Sequence, residues 1–203
     1  MPTPLRLQWL DRCLLYYQQI HGETMPIDVW NIHMQILQEH ECSWGCGVPY
    51  GFQSGDYENP TIGRPYTILD NCSVEIFQEL ITEFCTWLDD KGERDKPVII
   101  TEYGVLMPSE YLGSGDPDNV EERRENGDRM VLDFMQGTFE YMLHTTHPEL
   151  GWAAVGGRLI QRWAWFSLNV PLTSYNGWLY NWQDTPPHLT VFGEAYRDHI
   201  LSQ

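Results

Sequence analysis

The stretch PVIITEYG, residues 97–104, runs from a proline through four β-branched residues into a glutamate, an aromatic ring and a glycine. A continuous run of this kind reads as a strand covered on both faces. A carboxylate buried without a partner is costly. Glu102 is therefore expected at the rim of a pocket, where its charge is solvated or used. Two other segments end in a similar way. PIDVWNIHMQIL (26–37) reads as a strand that carries Asn31, His33 and Gln35. GRLIQRWAWFSLN (157–169) reads as a third that carries Arg162, Trp163, Trp165 and Ser167. A glutamate beside an imidazole or a guanidinium stays ionised, the state that a nucleophile needs. His33 and Arg162 are the candidate neighbours, although an Arg162–Glu102 pair could equally be architectural. Trp163 and Trp165 lie two apart and so point the same way. Such rings offer flat apolar faces to a ligand, or simply fill a core.

The elements that must position these groups alternate. Residues 4–21 read as a helix with Leu10, Cys13, Leu14, Tyr17 and Ile20 on one stripe, Thr3 as its N-cap and Gly22 as its stop. After the first strand comes an irregular stretch, about 38–72, rich in Gly, Pro and aromatics and containing Trp44. Residues 73–91 form the clearest helical pattern, with Ser73 as N-cap and Phe77, Leu80, Ile81, Phe84 and Leu88 as stripe. A loop over 105–117 leads to a long helix reaching about 146, with Asp118 and Glu121 as a capping box. A Gly/Asn/Trp loop over 169–187, containing Trp178, precedes a last short helix at 189–201. Strands alternating with helices predict an α/β fold with parallel strands, in one domain. The long loops follow strand C-termini and the short turns lie opposite, the asymmetry of a functional face.

Composition narrows the partners. Twelve Lys and Arg against 29 Asp and Glu give a net charge of −17, which repels phosphate backbones and anionic lipid. Nucleic acid and membrane are therefore poor partners, whereas neutral or cationic ligands remain open. The first residues, MPTPLRLQWLDR, carry no signal-peptide pattern. Five cysteines at irregular spacing do not form a full disulfide framework. Cys13 and Cys85 read as buried thiols. Cys42 and Cys46 share a loop and could pair with each other or with Cys72. His40, Cys42 and Cys46, with His33 nearby, match no strong zinc spacing, and no G-x-S-x-G elbow is present.

ITEYG after an apolar strand resembles the seventh-strand signature of retaining glycoside hydrolases built on a (β/α)8 barrel, the clan of cellulases and β-glucuronidases. DVWNIHMQ resembles that clan's sixth strand and RWAWFSLN its eighth. The resemblance is nearest to bacterial, often surface-exposed, glycosyl hydrolase-like proteins. It implies a partial TIM barrel, the last three and a half β/α units, acting on β-linked oligo- or polysaccharides. Glu102 would be the nucleophile. Asn31, His33, Trp44, Tyr103, Arg162, Trp163, Trp165 and Trp178 would contact sugar. It implies no cofactor or metal, and an extracellular or cell-surface location.

Two features depart from the clan. Retention needs a second carboxyl group about 5–5.5 Å from the first, and the clan's Asn-Glu-Pro acid motif is absent. Eight β/α units also need about 250 residues, against 203 here. A longer polypeptide or a second chain, a homodimer included, is expected to complete the barrel. Glu39, Glu41, Asp56, Glu58 and Glu110 read as solvated loop charges rather than as the acid. The alternative is a non-catalytic carbohydrate-binding or scaffold domain.

Overall fold

The computed structural model describes residues 1–169 and 177–202. Its centre is a three-stranded sheet with strand order β1–β2–β3: β1 is Trp30–Met34, β2 is Val98–Tyr103 and β3 is Arg162–Trp165. Both pairings are parallel. The parallel α/β expectation therefore holds, while 26–37 and 157–169 shorten to five and four residues. A two-stranded antiparallel hairpin pairs β4 (Tyr180–Asn181), inside the expected loop, with β5 (His188–Leu189), at the expected start of the last helix.

Helix α1, Pro4–His21, ends on Gly22 at φ 74°. Thr3 sits at its N-cap position but does not cap it. Its hydroxyl donates instead to Glu39. Helix α2, Val74–Asp90, is capped as expected, with Ser73 Oγ accepting from the Ile76 N–H at 3.2 Å. A four-residue helix α3, Ser109–Leu112, interrupts the loop after β2. Helix α4, Val120–His144, is capped one residue later than expected, by Asn119 accepting from the Glu122 N–H. Helix α5, Val191–Leu201, closes the chain, with Thr190 accepting from the Gly193 N–H.

The core lies on one face of the sheet. Trp30, Ile32 and Met34 of β1 and Val98, Ile100 and Tyr103 of β2 are buried, together with Phe77, Leu80, Ile81 and Phe84 of α2 and Phe134 and Phe139 of α4. Aromatic edges hold these layers together. Phe77 meets Tyr103, Phe134 and Tyr141, with ring centroids 5.6 to 6.3 Å apart. Trp30 stands edge-on to Trp87 at 5.2 Å and donates its indole N–H to the buried Glu93. The stripe of α1 is less well covered. Leu7, outside that stripe, is the helix's one buried residue, and Ile20 is 57% exposed.

All five cysteines are free thiols, so no pairing among Cys42, Cys46 and Cys72 occurs. Cys85 is buried, as expected, and Cys13 only partly so. Burial pushes the Cys72 and Cys85 thiols up to about 12. No helix among the described residues is long and apolar enough to cross a membrane.

Phe77 is fully buried at the junction of β2, α2 and α4. Phe77→Ala is expected to lower stability by about 3–5 kcal/mol, measured as a shift in the urea midpoint at unchanged slope.

Candidate functional site

Strict alternation along β2 would send Ile100 and Glu102 to one face and Thr101 and Tyr103 to the other. The observed burial breaks this parity. Ile100 and Tyr103 are buried on the helix side, while Thr101 is exposed and Glu102 half-exposed. The pairing register shows why. Ile32 pairs with Ile100, but His33 pairs with Glu102, so Thr101 is an extra residue on β2. This irregularity turns Glu102 outward and Tyr103 inward. Gly104 then leaves the strand at φ 152°, where a side chain would collide with the Phe166 carbonyl.

The open face therefore carries a polar group. Glu102 Oε2 lies 3.5 Å from His33 Nδ1. That distance is long for a hydrogen bond. The two side chains are 43% and 48% exposed, so their attraction is worth at most about 1 kcal/mol. The strand register, rather than the ion pair, fixes their position. Asn31, two residues before His33, accepts a hydrogen bond from Thr101 Oγ1 at 2.9 Å. Thr101 was not anticipated, because sequence pattern gives no sign of the extra residue in β2. The Arg162 guanidinium is turned to the Gln161 carbonyl, at 2.8 Å. Among the described residues no ion pair joins it to Glu102, so the architectural pair does not form.

Three expected ligand contacts are instead in or against the core. Tyr103 is fully buried and its ring meets Trp165 edge-on at 5.1 Å. Burial holds its phenol well above the ordinary range. Trp165 is buried and donates its indole N–H to the Gly177 carbonyl at 2.6 Å. Trp163 is half-buried against Phe139. The two tryptophans do share a side, but it is the helix-covered side. Trp44 is exposed in the loop after β1. Trp178 is half-buried just before β4, and its carbonyl accepts from Thr190. Residues 170–176 of the expected loop lie outside the described residues.

The loop acids have other duties. Glu39, expected to be solvated, is fully buried. It accepts from Thr3 Oγ1 at 2.9 Å and faces Arg6 Nε at 3.3 Å. Its carboxylate fits there because residue 63 is glycine, where a Cβ would stand 2.0 Å from Oε2. Glu41 accepts from the backbone N–H groups of Thr61, Gly55 and Ser54 and from the Ser54 hydroxyl. The Thr61 and Gly55 N–H groups foremost, with Ser54, hold its carboxyl down to about 2. A general acid needs the opposite shift. Asp56 accepts from the Glu58 N–H and from Asn59. Glu58 is exposed, and Glu110 faces Arg124 at 3.8 Å. In the same loop His40 Nδ1 accepts from the Cys42 N–H, and Cys46 Sγ donates to the Gln38 carbonyl. No group of three or more His, Cys, Asp or Glu side chains suited to hold a metal occurs among the described residues.

The chain matches no family model, no curated protein and no solved structure.

Glu41 clamps the loop that follows β1. Its folded carboxyl titrates at about 2, below the ordinary value of about 4.3. The stabilisation is therefore fully present above that ordinary value and is lost as pH falls through the folded one. Protection of the Ser54, Gly55 and Thr61 amides, corrected for intrinsic exchange, is expected to fall between about pH 5 and pH 2. Glu41→Ala is expected to lower it about tenfold at neutral pH, read by hydrogen exchange.

Proposed function

We propose that the chain is a glycosidase-like domain in which Glu102 is the nucleophile toward β-linked glycans. The observation that carries this reading is the outward-turned Glu102 at the C-terminal end of the central parallel strand, 3.5 Å from His33. Ligands of α/β folds bind at that end of the strands. We further propose that β1, β2 and β3 correspond to the last three strands of a (β/α)8 barrel, whose sheet is completed by other strands in the active protein.

In this reading the Glu102 carboxylate attacks the anomeric carbon. A carbon–oxygen ester bond forms as the glycosidic bond breaks, and the leaving oxygen departs with the bonding electron pair. His33 lies on the side of Oε2, with its Nδ1 3.5 Å from that oxygen. Asn31 and Thr101 offer amide and hydroxyl groups to sugar hydroxyls. Glu39, Glu41 and Asp56 are held by the contacts described above and are not free to act as acid. The proton for an ordinary sugar leaving group comes from outside these residues. Trp163 and Trp165 are withdrawn from the sugar platform, and Trp44 remains as an exposed ring.

An activated aryl β-glycoside needs no proton on its leaving group, so it isolates the role of Glu102. Incubation of the protein with a panel of such compounds is expected to add one glycosyl unit, seen by intact mass and mapped to Glu102. Glu102→Gln is expected to abolish the adduct without altering the melting temperature. Glycan binding with no adduct on any sugar would favour the binding-domain alternative. An adduct on another residue, or neither adduct nor binding, would overturn the reading.

A further inference from the structure

The irregularity that turns Glu102 outward leaves a second mark on the open face. Thr101 is the extra residue on β2, and its side chain is exposed there. Its hydroxyl donates to Asn31 Oδ1 of β1 at 2.9 Å, across 70 positions of sequence. A carboxamide carries its acceptor and its donors at opposite ends of one planar group. With Oδ1 held by Thr101, the plane is fixed and Nδ2 is turned away from Thr101. Among the described residues Nδ2 donates to no protein group. Asn31 and His33 are alternate, exposed residues of β1, and both border an open cavity of about 400 Å³. The amide therefore faces accessible space on the side of the sheet that carries Glu102.

On the reading of this face as a glycan site, we propose that Thr101 is a positioning residue, which holds the Asn31 amide so that Nδ2 donates to a hydroxyl oxygen of the glycoside that Glu102 attacks. The Thr101 proton is committed to Asn31, but its oxygen can still accept. The pair thus offers one acceptor and one donor side by side, the complement of a sugar hydroxyl. A freely rotating asparagine presents its oxygen or its nitrogen, and fixing it lowers the entropy lost on binding. A neutral hydroxyl also suits a chain of net charge −17. Asn31 lies two residues, roughly 6–7 Å of strand, from His33, which pairs with Glu102. The contact is therefore remote from the reacting carbon and equal in ground and transition states. Its loss weakens binding rather than the chemical step.

The test follows adduct formation on Glu102 with an activated aryl β-glycoside. In parallel, proton–nitrogen NMR follows the Asn31 side-chain amide with unreactive methyl β-glycosides. Thr101→Val is expected to raise the half-saturating aryl glycoside concentration about tenfold and to leave the limiting rate within about twofold, at unchanged melting temperature. Thr101→Ser is expected to recover most of that loss. Asn31→Ala should cost as much as Thr101→Val, and the double variant no more than either, since all three remove one contact. The methyl glycoside should shift the Asn31 amide signals in the unaltered protein and in Thr101→Ser, but not in Thr101→Val. Additive losses would overturn the proposal, as would a Thr101→Val effect confined to the limiting rate. So would an adduct on Glu102 with Asn31 signals that no sugar moves. Thr101-dependent shifts without any adduct would uphold the Asn31 contact and overturn the nucleophile reading alone. Neither shifts nor adduct would overturn both.

Discussion

The one-residue irregularity in β2 is the constraint on which the rest of this structure depends. With regular alternation, Glu102 would point at α2 and α4, among Phe77, Phe134 and Phe139. An unpaired carboxylate there would lose its hydration with nothing to replace it. Tyr103 would meanwhile leave the core, and Trp165 would lose the ring it meets at 5.1 Å. The extra residue at Thr101 resolves both conflicts at once. It puts the large ring inside and the charge outside within two consecutive positions. The aromatic cluster and the polar face are therefore two consequences of one register, and a change that removed the irregularity would damage both.

This explains which parts of the site were legible in the sequence. The order of elements, the parallel pairing and the cap at Ser73 follow from local pattern, since each depends on residues a few positions apart. The common direction of Trp163 and Trp165 was legible for the same reason. Which face they take was not. That choice depends on where α4 and α5 dock, and Phe139 and Tyr196 stand far from them in sequence. The strand ends were overextended because β-branched and aromatic residues continue past the last residue that finds a pairing partner. The hairpin of β4 and β5 was missed because two-residue strands leave almost no periodicity to read.

Glu39 and Glu41 make the same point for charge. They are two residues apart in QEHE and look alike in sequence. One is sealed beneath Thr3, Arg6 and Gly63, and the other grips the backbone of Ser54, Gly55 and Thr61. Their partners lie between 13 and 36 positions away along the chain. No spacing rule within the loop could have separated their roles. Together they turn a Gly- and Pro-rich stretch into a shaped rim, which accounts for a long loop in a compact domain better than disorder does.

The two ends of the sheet are treated differently, and the difference bears on what a complete functional unit looks like. Beyond β3 the chain folds back, and the Leu179 and Tyr180 N–H groups are taken by the carbonyls of Ser167 and Leu168. Beside β1 there is instead an apolar slot. A parallel sheet of three strands has little buried surface with which to tolerate such an opening. Natural sheets guard free edges with charge, proline or a covering loop. The slot is walled by Trp9, Leu10 and Phe84, and Pro2, Arg6, Pro49 and Tyr50 also line it, so proline, charge and a loop do stand beside this edge. The side of β1 that bears Asn31 and His33 thus adjoins both Glu102 and the open edge. Whatever strand lies along β1 would set the second wall of the polar face, so sheet completion and site chemistry meet at His33.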